Sequence, residues 1–193
     1  MINKRIALTG GPCAGKSSAM NYLKKELEKN GIKVIVVPEA ATQVINEGNT
    51  PGTVAFQFKV FQRQLELERK ANLEALSYDR VVVFYDRSLY DQMAYISEET
   101  FKEFLKLTET KNVSERYDGI IHLVSASIGT NAYTTTNNAA RMETKEEAME
   151  LEYKTLKASQ RYKGLLQVVD NSTDFNGKLK RVLEAAIKVI NQW

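Results

Sequence analysis

Gly10-Gly11-Pro12-Cys13-Ala14-Gly15-Lys16-Ser17 decides the fold of this chain. The stretch matches the pattern G-x-x-x-x-G-K-[ST] at every position. Glycines let the backbone turn tightly and aim its N–H groups at an anion. Lys16 adds a compact charge, and the Ser17 hydroxyl is of the type that ligates Mg²⁺ beside bound phosphates. Before the loop, Ile6-Ala7-Leu8-Thr9 is a short apolar run that reads as a buried strand. After it, Met20, Leu23 and Leu27 recur at helical spacing over 17–30, and Gly31 closes that helix. A strand, a glycine loop and a helix N-terminus in that order form an anion-binding site. We therefore expect Gly10, Gly11, Pro12, Cys13, Ala14, Gly15, Lys16, Ser17 and Ser18 to hold the phosphates of ATP or GTP, with Mg²⁺ on Ser17. Cys13 reads as a small loop residue.

Further strands are expected over 34–37, 81–85, 119–124 and 165–169, each a short apolar run. Between them the spacing predicts helices over 40–47, 54–76, 90–96, 99–107, 145–161 and 177–192. Residues 125–138 are polar and without periodicity. Strands that are apolar on both faces and alternate with helices imply a parallel sheet covered on both sides. The expected class is α/β, a nucleotide-kinase-like P-loop NTPase of three layers, αβα, with a five-stranded parallel sheet. We expect one domain over 1–193 and a lid near 125–150.

The composition narrows the function. Of 193 residues, 43% are apolar and 26% charged, which describes a globular chain. The net charge of +3 suits anionic ligands but is too small to argue for nucleic acid. No apolar run approaches the ~18 residues of a membrane span. A single cysteine excludes an intrachain disulfide, and a cytoplasmic protein is expected.

Several residues beyond the loop carry chemistry. Asp86 and Arg87 end an apolar strand, where ligands of open parallel sheets bind. Asp86 is read as a Mg²⁺ holder and Arg87 as facing an acceptor phosphate or the transition state. Glu39 follows strand 34–37 at the same edge; it is read as a proton acceptor or acceptor anchor, against a helix N-terminal acid. Gln57, Phe61 and Gln64 share a helix face suited to a planar group, although Phe61 also reads as core. Arg141, just before Glu143, is read as a lid arginine closing on the γ-phosphate. Asp170 follows the last strand, where it can contact a base or serve in a cap. His122 lies inside an apolar strand and reads as a core histidine, and Arg161 and Lys163 as surface residues.

Several blocks together resemble a known family. They are Thr9 with the loop, Val37-Pro38-Glu39-Ala40-Ala41-Thr42, Asp86-Arg87, Ile121-His122-Leu123-Val124-Ser125-Ala126, Tyr133-Thr134, Asn137 through Arg141 with Glu143, and Asp170 through Phe175. The chain resembles, nearly end to end, the AAA-type P-loop ATPase/kinase-like domain of the TRPL translocation defect protein. That family lies near nucleoside and nucleotide kinases, including the ribosylnicotinamide kinase domain. The resemblance implies a kinase-like core with a lid and nucleotide binding, with GTP and phosphoinositide contact suggested for animal members. The sequence departs from the pattern in places. Thr130-Asn131-Ala132 replaces an acidic pair of many relatives, Arg141 stands without a second lid arginine, and the N-K-x-D guanine signature is missing. Guanine preference would then fall to Asp170. Two functions follow as expectations. One is a kinase acting on a small-molecule acceptor. The other is a nucleotide-dependent switch or slow NTPase with a protein or phosphoinositide partner.

Overall fold

The computed structural model describes residues 2–129 and 144–192. Strands β1 (Ile2–Thr9), β2 (Lys33–Val37), β3 (Arg80–Asp86), β4 (Gly119–Leu123) and β5 (Leu165–Val169) form one sheet in the order β2-β3-β1-β4-β5. Every pairing is parallel. The helices are α1 (Lys16–Glu28), α2 (Ala40–Asn46), α3 (Val54–Ala75), α4 (Glu98–Leu107), α5 (Lys145–Ser159) and α6 (Phe175–Ile190). The expected α/β class and five-stranded parallel sheet are thus observed.

Alternation along the strands splits the core into two faces. Ile6, Leu8, Val82 and Phe84 join residues of α1 and α6 on one face. Ala7, Val81, Val83 and Tyr85 join Phe61, Phe101 and Phe104 on the other. Because helices cover both faces, residues 81–85 are wholly buried, and an uninterrupted apolar run is what such a strand requires. Among the described residues no helix is long and apolar enough to cross a membrane.

Helix starts follow their caps. Thr53 Oγ1 accepts from Phe56 N at 3.1 Å, Ser97 Oγ from Thr100 N at 3.2 Å, and Asp174 Oδ1 from Gly177 N at 2.7 Å. The Asp174 cap moves the start of α6 to Phe175, ahead of the expected 177. β1 also begins earlier than the expected 6, because pairing with β3 engages its polar first half, Asn3↔Val81 through Arg5↔Val83. The expected helix 90–96 is a 3₁₀ segment, Leu89–Ala94, held by a capping box between Ser88 and Asp91. A second 3₁₀ turn, Val113–Arg116, was not anticipated.

The helix face that carries Phe61 and Gln64 packs into the core. Phe61 is fully buried, edge-on to Phe101 and Phe104 at centroid distances of 5.9 and 5.7 Å. Gln64 is buried too, and its Nε2 donates to Glu68 Oε1 at 3.0 Å and to Arg87 O at 3.3 Å. Helical periodicity shows which residues share a face but not what covers it.

Glu68 is 1% exposed and central to this side of the sheet. It accepts from Arg116 Nε at 2.7 Å, Arg116 Nη2 at 2.5 Å and Tyr117 Oη at 2.7 Å. Removing one partner of a buried ion pair strands the other. Glu68→Ala is expected to lower the unfolding free energy by about 3–5 kcal/mol, measured by urea denaturation. A loss under about 1 kcal/mol would show that the network carries little of the stability.

Candidate functional site

The phosphate loop leaves β1 at Thr9 and enters α1 at Lys16. Gly10 has φ +139°, and a Cβ there would meet Leu123 O at 2.1 Å, so only glycine fits. The loop is fastened from outside. Ser125 Oγ donates to Pro12 O, and Ala126 N to Cys13 O at 3.2 Å. Those carbonyls therefore face the segment after β4. Lys16 Nζ donates to Gly10 O at 3.3 Å across the loop. Cys13 is half-buried, and Ser17 and Ser18 are exposed on the first turn of α1.

Sheet register brings the distant acids to this loop. β3 lies directly beside β1, with Leu8 opposite Asp86, and Arg87 N donates to Leu8 O at 2.9 Å. β2 lies on the far side of β3 and delivers Glu39. Arg87 Nε then donates to Glu39 Oε1 at 2.7 Å. Lys16, Glu39, Asp86 and Arg87 all act electrostatically on one another, so four expected site residues converge.

The electrostatics are those of a crowded, half-buried site. Burial lowers the pKa of the Lys16 ammonium, and neighbouring Arg87 adds to the shift. Burial raises the Asp86 carboxyl. For Glu39, burial pushes upward, but Arg87 and Lys16 pull harder, and its pKa falls to about 2. Burial alone would lower the Arg87 guanidinium; Tyr95, Glu39 and Asp91 instead hold it well above its ordinary value. Asp86 Oδ1 and Arg87 Nη1 are buried without a hydrogen-bond partner among the described residues. Unpartnered buried polar atoms are costly, and at a functional site they mark where a ligand fits.

Arg87 also has φ +79°. A non-glycine residue in this region costs on the order of 1–3 kcal/mol and persists only where its surroundings impose it. Here the bond to Leu8 O and the Gln64 amide fix its backbone from both sides.

The remaining expected residues that the structure describes make other contacts. Asp170 is exposed at the end of β5; its carboxylate accepts from Arg181 Nη1 at 2.6 Å and Ser172 N at 3.0 Å, and these bonds hold its pKa below the usual range. Exposed Arg161 pairs with Glu98 at 2.9 Å. Arg141, Glu143, Tyr133, Thr134 and Thr130 to Ala132 lie outside the described residues. His122 is fully buried, with Nε2 2.7 Å from Glu152 Oε1. Glu152 went unnoticed in the sequence, as did Asp91, which accepts from Thr9 Oγ1 and from Ser88 N at 2.5 Å. The spacing of Ser88 and Asp91 is that of a capping box and was readable; nothing local marks Glu152.

A glycine loop between β1 and α1 of an all-parallel sheet, with a half-buried lysine and a carboxylate on the adjacent strand, defines a nucleotide-binding P-loop protein. The chain belongs to the AAA domain family, whose model matches residues 5–176. None of the curated proteins compared with it matches.

The Glu39–Arg87 pair predicts an acid signature. The folded pKa of about 2 lies below the ordinary 4.5, so the pair's contribution is complete above about pH 4.5 and is lost as pH falls toward 2. Relative to Glu39→Gln, the wild-type protein should lose stability more steeply across that window in urea denaturation. Parallel curves would show that the pair contributes nothing.

Proposed function

We propose that this chain is a nucleotide-kinase-like phosphotransferase that moves the γ-phosphoryl group of ATP or GTP to a small-molecule acceptor with Mg²⁺. The bond from the γ-phosphorus to the bridging oxygen breaks, a bond to an acceptor oxygen forms, and nucleoside diphosphate leaves while the acceptor proton passes to solvent. The observation that carries this reading is the pair of buried, unpartnered atoms Asp86 Oδ1 and Arg87 Nη1 beside Lys16. Phosphoryl transfer depends on positioning and on preorganised charge, and both atoms offer it.

Residue roles follow from the site. Lys16 and the loop backbone hold phosphates. Ser17 and Asp86 suit Mg²⁺, a hard cation usually bound by few protein oxygens together with phosphates and water. The ion would neutralise charge on the transferring group. Arg87 stabilises that charge from the acceptor side. Glu39 changes role: a carboxylate with a pKa of about 2 is a weak Brønsted base, so it orients Arg87 and anchors the acceptor hydroxyl rather than taking its proton early. Base selection is assigned to the loop after β5, where guanine would have to draw Asp170 away from Arg181. Arg141 keeps its reading from the sequence as a second cation for the transferring group. Membership in the TRPL translocation defect family and a cytoplasmic location belong to the same proposal.

The test is a screen of nucleosides, nucleotides and ribosylnicotinamide as acceptors with ATP or GTP. We expect nucleoside diphosphate release that depends on an acceptor and exceeds the water reaction. Arg87→Gly, which relieves the positive φ, should lower kcat/KM by about 10³-fold in protein that still folds. A flat screen despite tight nucleotide binding would overturn the kinase and favour a switch or slow NTPase with a protein or phosphoinositide partner.

A further inference from the structure

Glu152 lies in the middle of α5 and is 2% exposed. Its carboxylate joins two elements outside its own helix. Oε2 accepts from Gly11 N at 2.7 Å, and Oε1 lies 2.7 Å from His122 Nε2 at the end of β4. Burial would raise its pKa, but hydrogen bonds from His122, Gly11 and the Ser125 backbone hold it below its ordinary value, so the acceptor is a carboxylate. His122 Nδ1 is buried with no partner among the described residues. The hydrogen-bond pattern therefore assigns the proton to Nε2, which donates to Glu152.

The peptide that Glu152 grips is an unusual one. Gly10 and Gly11 are adjacent glycines, so this peptide plane has little steric resistance to rotation. A trans peptide points its N–H and C=O in opposite directions. Here the Gly11 N–H meets Glu152, and the Gly10 carbonyl accepts from Lys16 Nζ at 3.3 Å. One rigid plane thus links the carboxylate of α5 to the ammonium of the phosphate loop. α5 also comes close enough to exclude a side chain, since a Cβ on Gly11 would meet Glu152 Oε2 at 2.8 Å and Glu152 Cα at 3.0 Å. Gly11, at a position the motif leaves free, is thus required by the close approach of this helix.

We propose that Glu152, oriented by His122, is a positioning residue for the phosphate loop: it pins the Gly10–Gly11 peptide and so holds Lys16 in place for nucleotide polyphosphates. Without the carboxylate, two buried N–H donors would face the same space, and the peptide would turn away. The inference rests on nucleotide binding alone, so a flat acceptor screen leaves it standing.

The experiment measures ATP and ADP affinity of the full chain by calorimetry. Glu152→Gln keeps the shape but turns a donor toward one of the two N–H groups. It should weaken both nucleotides about tenfold or more, the scale of a lost hydrogen bond to a charged group. Val182→Ala, a core change in α6, should lower the melting temperature and leave both affinities unchanged. His122→Gln retains a donor near Nε2 and should keep affinity within about threefold, whereas His122→Leu should fall with Glu152→Gln. His122 is the sole histidine, so the imidazole ¹⁵N signals are its own, and they should report an Nε2–H tautomer and respond to ATP. Wild-type affinity in folded Glu152→Gln, or an equal loss in Val182→Ala, would overturn the proposal. Should Glu152→Gln fail to fold, the His122 pair decides, and equal affinities in Gln and Leu would overturn it.

Discussion

Parallel pairing of β1 with β3 is the constraint on which the site depends. It sets Leu8 opposite Asp86 and lets Arg87 N bond to Leu8 O, so the phosphate loop and the acidic strand end emerge side by side. A slip of one residue would turn the Asp86 side chain to the other face of the sheet. Apolar patterning resists such a slip poorly here, because both faces of β3 are buried. The polar contacts at the strand ends add specificity. Thr9 bonds to Asp91 just past β3, and Arg5 N donates to Asp118 Oδ2 at 2.8 Å just before β4.

Around that register the protein concentrates charge and strain where a core would normally have neither. Arg87 holds a positive φ, and Asp86 carries a buried oxygen without a partner. The surroundings impose both. Gln64 bridges Glu68 and the Arg87 carbonyl, and Glu68 is itself fixed by Arg116 and Tyr117. The long helix α3 thus does more than cover the sheet; it braces the residue that faces the site. On the other side, Ser125 and Ala126 fasten the outward carbonyls of the loop, and Glu152 fastens its second N–H.

What the sequence revealed follows from how local each signal is. The phosphate loop was legible because its chemistry needs consecutive residues between a strand and a helix. The strand over 81–85 was legible because burial on both faces demands an unbroken apolar run, and those over 34–37 and 165–169 because short apolar-rich runs between helices suit a parallel sheet. The first half of β1 was not, since Asn3-Lys4-Arg5 form a strand only through their partner. Whether Phe61 and Gln64 meet a ligand or the core was not legible, because periodicity gives a face without its neighbours. Glu39 and Arg87 were recognised separately, but their 2.7 Å contact, which helps hold the Glu39 carboxyl well below its ordinary pKa, spans two strands and could not be read. Glu152 and His122 are 30 positions apart, and only the fold makes them partners.

The central claim is that strand register makes Asp86 the protein's cation-facing carboxylate beside the phosphate loop. Calorimetric titration of ATP with and without Mg²⁺, in the wild-type protein and in Asp86→Asn, tests it most directly. The account predicts that Mg²⁺ strengthens ATP binding to the wild-type protein and that Asp86→Asn abolishes this gain while leaving Mg²⁺-free affinity undiminished. An equal Mg²⁺ gain in Asp86→Asn would contradict it.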